Sequence, residues 1–151
     1  MSINDINGTE SARPRARANA TRSAWRWLTA AVLLHLAVSI IHGTAHSRAH
    51  VPLSTAANLF VFGVILTGPL AGLALAWRAE RIGSWVIAIT MAGAFVFGCV
   101  NHFVLAGPDH VAQVVESWRP LFTTTAVLLA ATEAFSSALA IRIARFRPTP
   151  A

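Results

Sequence analysis

The sequence predicts an all-α integral membrane four-helix bundle, with both termini in the cytoplasm and a short interfacial helix between helices three and four. Three observations lead there. Of 151 residues, 55 % are hydrophobic and only 12 % charged, against roughly 25 % charged in an ordinary soluble domain. Four apolar stretches, interrupted by a single glutamate, are each long enough to cross a hydrocarbon core about 30 Å thick. The 12 basic residues are all arginine, and they gather on one side of those stretches.

Residues 1–23 hold Asn, Ser, Thr, Gly and four arginines (Arg13, Arg15, Arg17, Arg22) with little apolar content. Such a segment cannot bury a core and is read as a disordered basic tail. A four-span domain is expected over residues 24–143. Its first helix, 26–46, follows from the charge-free run Trp27 to Ser47. The second, 54–77, starts just after Pro52, a natural position before a helix. Pro69 lies inside it and should kink it, because proline removes one backbone hydrogen bond that a neighbour must then satisfy. Arg78 to Arg81 form a tight turn, and helix three occupies 83–105. After Gly107-Pro108, Val111, Val114, Val115 and Trp118 recur at helical spacing with Gln113, Glu116 and Ser117 between them, the pattern of an amphipathic helix lying in the interface. Helix four, 120–141, runs into a second tail, 144–151.

Orientation follows from the arginines. The N-terminal segment through Arg26, the 78–81 turn and the C-terminal segment hold all of them except Arg48 and Arg119. By the positive-inside rule the termini and the middle turn face the cytoplasm of a cell membrane crossed several times. Trp25, Trp27, Trp77, Trp85 and Trp118 fall at expected helix ends, where indoles favour the headgroup region. A cleaved secretory signal is a poor reading of helix one, since a signal's apolar region is only about 7–15 residues. Nucleic-acid binding is excluded as well, because the basic residues lie in flanks and not on one folded face. The single cysteine, Cys99, rules out an internal disulfide or a CxxC motif and is read as a packing residue. The sequence carries no P-loop, no Gly-x-Ser-x-Gly elbow and no Cys-x-x-Cys-His. The expected partners are the lipid bilayer and either copies of the chain or other subunits of a membrane complex.

Two groups of residues carry chemistry. On helix one, His35, His42 and His46 are spaced by seven and four, which at about 100° per residue puts them on one stripe. Asn101 and His102 lie near the outer end of helix three, with Asp109 and His110 in the loop beyond. His42 and His102 reach similar depths, so His42, His46 and His102 converge, with Asp109 or His110 as a fourth partner. Imidazoles and carboxylates at this density suit a transition-metal ion such as Zn, Cu, Fe or Ni. The same residues allow haem b, with His42 and His102 as the axial pair. His50 is read as a solvated loop residue.

The second group is Glu133 and His35. A carboxyl group in the middle of a membrane helix is by default a functional-site hypothesis, and Glu133 and His35 lie about equally deep from the cytoplasmic side. They define a proton relay, the basis of a proton-coupled carrier as an alternative to the metal or haem site. A third alternative is a non-catalytic subunit whose polar residues only hold helices together. Gly68 and Gly72 form a GxxxG pattern beside Pro69, too common a motif to establish dimerisation.

Overall fold

Helix α1 extends over Ile3–Arg48. The computed structural model describes the backbone of residues 3–146 and the side chains of residues 19–145; residues 1, 2 and 147–151, which include the end of the expected C-terminal tail, lie outside the described residues. The helix thus continues back through most of the segment read as a tail, where Ala12, Ala16, Ala18 and Ala20 and four arginines are strong helix formers. Its apolar part is Asn19–Arg48. It stops at His50, whose φ of 55° lies in the left-handed region, while the Val51 N–H reaches back to the His46 carbonyl at 3.1 Å. This is the usual closure of a helix C-terminus, here with histidine where glycine is common. His50 therefore turns the chain toward Pro52.

The second apolar segment, Thr55–Ala76, begins with the Ser54 hydroxyl accepting from the Ala57 N–H at 3.1 Å. It winds as α2 (Thr55–Phe60), a π-helical stretch over Val61–Thr67, and α3 (Gly68–Ala76). The deformation expected at Pro69 takes the form of this wide-wound stretch in the two turns before the proline. Helix α4 (Glu80–Cys99) continues into a second π-helical stretch, Val100–Val104. Helix α5 spans Arg119–Phe146. Among the described residues, four helices are therefore long and apolar enough to cross a membrane: Asn19–Arg48, Thr55–Ala76, Glu80–Val104 and Arg119–Arg145. They are called spans one to four below. The end carrying the 48–54 and 105–118 connections is the loop end.

The interfacial helix does not form. Residues 105–118 fold as successive turns, with His110 N–H bonded to Gly107 O and Gln113 N–H to His110 O at 3.0 and 2.8 Å. Gly107-Pro108 breaks any helix from span three, and β-branched Val111, Val114 and Val115 disfavour starting another. The loop instead turns inward. The Val111 N–H binds the His102 carbonyl at 3.0 Å, and Val114 is buried with Ala45, Ala49 and Phe122, flanked by Val51, Val111 and Trp118. This apolar cluster roofs the loop end of the bundle.

Spans two and three meet through glycine. A Cβ on Gly83 would lie 2.5 Å from both Ala76 N and Gly72 O, and one on Gly72 would lie 2.5 Å from Ile87 Cγ1. The Gly68/Gly72 pattern thus serves contact within the chain. Span three meets span four by a similar approach, the Ser137 hydroxyl donating to the Ala88 carbonyl at 3.0 Å. Leu28, Val32, Ile87, Met91, Ala140 and Ile143 fill the core at the opposite end, where the Trp25 indole N–H donates to Glu80. Leu33, Ile41, Leu59, Ile89, Val127 and Phe135 face outward, the apolar exterior that hydrocarbon requires. Because backbone cannot yield as a flexible side chain can, Gly83→Leu is expected to destabilise the bundle by at least the roughly 1–3 kcal/mol typical of overpacking. Thermal unfolding in detergent checks this; an unchanged midpoint would mean that the two spans separate freely.

Candidate metal centre

Three histidines from two spans converge beneath the roof. His42 and His46, one turn apart on span one, point the same way because i and i+4 share a helix face. His102 comes from the π-helical end of span three; an extra residue per turn re-aims side chains, which is why such turns gather at sites. His42 and His102 are 6 % and 7 % exposed and His46 9 %. The three rings surround Phe122 of span four, with centroids 4.7 to 5.3 Å from its ring. One nitrogen from each histidine can be chosen so that all three lie within 4.8 Å of one another, an arrangement able to hold a metal ion.

Thr125 Oγ1 lies 2.7 Å from the Leu121 carbonyl and 2.8 Å from His42 Nδ1. When its proton goes to Leu121 it accepts from His42, which places that ring's proton on Nδ1 and a lone pair on Nε2. His102 Nδ1 lies 3.1 Å from the main-chain oxygen of Asp109, which only accepts, so in the neutral ring its Nε2 is a lone pair. These two Nε2 atoms face each other at 3.3 Å, a contact held either by a ring proton between them or by a cation between two lone pairs. Nitrogens bound at about 2.0–2.1 Å to a tetrahedral ion are themselves about 3.3–3.4 Å apart.

Asp109 stands behind the site. Its Oδ1 is 3.1 Å from His46 Nε2 and 3.2 Å from His102 Nδ1. Partial burial alone would raise its pKa, but these two imidazoles outweigh it and hold the carboxyl below the usual aspartate range. With Nε2 directed at Asp109, His46 is left with Nδ1, a buried nitrogen that has no hydrogen-bond partner. His42 and His102 thus each have an oxygen beside Nδ1 and leave Nε2 facing the other ring, and His46 has Asp109 beside Nε2. Metal-ligating histidines carry this kind of backing almost without exception.

The expected residues therefore separate. His42, His46 and His102 come together. Asp109 stands beside two of them, its Oδ1 within 3.1–3.2 Å of a ring nitrogen of each, and the group of three whose nitrogens converge does not include it. His110 stays in the loop, its Nδ1 accepting from the Ala112 N–H at 3.2 Å. For the expected haem axial pair, His42 and His102, the rings pack edge to face with centroids 4.9 Å apart and Nε2 atoms 3.3 Å apart. Thr125 and Phe122 were not anticipated. Both lie on the face of span four that holds Glu133, so the phase of that helix is the signal that could have found them.

Glu133 and His35 meet deeper in the bundle. Glu133 is 3 % exposed, and its Oε1 lies 3.7 Å from His35 Nδ1. His35 Nε2 is 3.3 Å from the Ile65 carbonyl. Pro69 has no N–H to offer that oxygen from four residues on, so His35 supplies the donor the proline withholds. Its unpartnered Nδ1 then presents a lone pair to Glu133. Both groups of residues border one region. A cavity of about 460 Å³ runs past His42, His46, His102 and Asp109 to Glu133, walled mainly by apolar residues of all four spans.

The chain matches no family model, no curated protein and no solved structure.

Proposed function

We propose that this chain is a multi-pass membrane protein, both termini cytoplasmic, that holds a transition-metal ion on His42, His46 and His102 near the outer leaflet. The observation that carries this reading is the convergence of three histidines whose ligand atoms lie within 4.8 Å of one another, His42 Nε2 and His102 Nε2 facing each other at 3.3 Å with Thr125 and Asp109 beside their other ring nitrogens. Three neutral imidazoles without thiolate suit Zn, Cu, Fe or Ni. Three protein ligands leave a fourth position open, the pattern of a site where the metal meets another molecule and not of a closed structural site.

The deciding experiment is to purify the full chain in detergent, measure its metal content and record its visible spectrum. About one metal per chain and no Soret band is the expected result. A colourless, metal-free preparation that also fails to take up added zinc or copper would overturn it. Orientation is tested separately by reporter fusions, and those after residue 80 and at the C-terminus should report cytoplasm while one near Asp109 reports the outside.

The contact of His35 with Glu133 favours a second reading, a proton relay in a proton-coupled carrier. Glu133→Gln keeps the side chain's shape and a hydrogen-bond donor. On the relay reading it should leave the fold intact yet remove pH-gradient-driven uptake, and His35→Ala should do the same. Unaltered flux in both variants would reduce the pair to a structural hydrogen bond.

A further inference from the structure

The cavity has walls of two kinds. On spans three and four its lining, from Ala94 and Gly98 to Leu129 and Glu133, is buried or partly buried. On spans one and two it reaches the surface: Ile40 is 62 % exposed and Phe62 63 %. Between them on span one is Gly43, where an added Cβ would meet no atom within 4 Å. The mouth therefore lies between spans one and two. At 1.5 Å per residue, Gly43 and Ile40 are about 8 and 12 Å from the end of their helix, and Phe62 is similarly deep. That depth is hydrocarbon if the four helices span a bilayer. At the loop end lies the apolar cluster of Ala45, Ala49, Val114 and Phe122.

We propose that this side opening admits a small, uncharged, lipid-dissolved molecule whose single polar head group donates a lone pair to the metal on His42, His46 and His102. The proposal rests on the metal reading above for the head group, and on the cavity alone for the route. A volume of about 460 Å³ is within the range of about 300–1,000 Å³ typical of small-molecule pockets. The lining matches such a ligand, since it is apolar along its length and polar at the histidines and Glu133. An inorganic anion or a sugar fits it poorly, because either would have to shed its hydration in lipid before reaching the mouth.

The test uses the full chain in phosphatidylcholine vesicles, with two probes. A decyl alcohol carrying a terminal diazirine is photolysed and its adducts mapped by peptide mass spectrometry. Labelling is expected on Leu66 and Ala130 inside the cavity as well as on outward Ile89 and Val127. Gly43→Phe, placed where an added Cβ meets no atom within 4 Å, should abolish the interior labels and leave the outward ones. Gly43→Leu is the milder second variant. In the copper-loaded protein, 1-decylimidazole should alter the Cu(II) paramagnetic resonance spectrum, water-soluble imidazole should do so much less, and Gly43→Phe should block the change at unaltered copper content. Interior labels that persist in Gly43→Phe, or equal responses to both imidazoles, would overturn the lateral route. Gly43-dependent labelling with an unresponsive copper spectrum would overturn the ligand assignment, leaving a groove filled by acyl chains. Gly43-dependent labelling in a protein that takes up no metal would leave the route standing and remove the metal reading on which the head group rests.

Discussion

His42→Ala and His102→Ala should each abolish metal binding, because each removes one of two nitrogens already set at the spacing a tetrahedral ion requires. Thr125→Val is the informative companion. Valine has nearly the shape of threonine but cannot accept from His42 Nδ1, and losing a group that holds a metal-bound histidine typically costs about 10- to 100-fold in affinity. Competition titration with a zinc chelator measures both effects. The expected order is no detectable binding for the histidine variants, weakened binding for Thr125→Val, and nearly unchanged binding for His50→Ala and His110→Ala. Equal affinity across the series would show that the convergence of histidines has nothing to do with metal.

Asp109→Ala is the second large effect, and it acts on binding and stability together. His102 Nδ1 keeps the main-chain oxygen of residue 109, but His46 Nε2 loses its partner in a nearly buried setting, at a cost of about 1–3 kcal/mol. The thermal midpoint in detergent should fall, and metal affinity should drop by about 10- to 100-fold because His46 loses the group that orients it. The sign of the pH dependence follows. The Asp109 carboxyl is held below its usual range, so its stabilisation is complete above the ordinary value near 3.8. It is lost only as the pH falls below that toward the depressed native value. The imidazole ligands must be neutral to bind, so metal affinity falls as the pH is lowered. Loosening of the 105–118 loop through Asp109 belongs to the range below 3.8 and should be missing in Asp109→Ala.

Much of the bundle was legible because membrane helices announce themselves by length and by charge exclusion. Four helices long and apolar enough to cross a membrane were readable in this way. The stripe His35, His42 and His46 and the depth of His102 were also readable, since both follow from a rise of 1.5 Å and a turn of about 100° per residue. The 105–118 segment was misread for a physical reason: its valines have helical spacing, but they are spaced by what they bury under the roof, and β-branched residues after Gly-Pro do not nucleate a helix. Asp109 was expected among the ligands. Sequence placed it near the histidines but could not show that its oxygen faces their ring nitrogens. Thr125 was hidden among Thr123, Thr124 and Thr125 until the phase of span four was known. Counting back from Glu133 by four, three and four gives Leu129, Ala126 and Phe122, all buried, and Thr125 adjoins that stripe. The π-helical turns left no mark beyond Pro69.

The order in which the chain supplies the site sets the order in which a cell can build it. Two histidines exist once span one is inserted, the third only after span three, and Thr125 and Phe122 only with the last helix. The ribosome has made most of the protein before the nitrogens acquire their spacing. A metal ion on this site would be received by a finished bundle; it would not help to assemble one. A metal-starved cell should therefore accumulate inserted, correctly threaded protein awaiting its ion, and a chain truncated before span four should insert without ever becoming able to take one up.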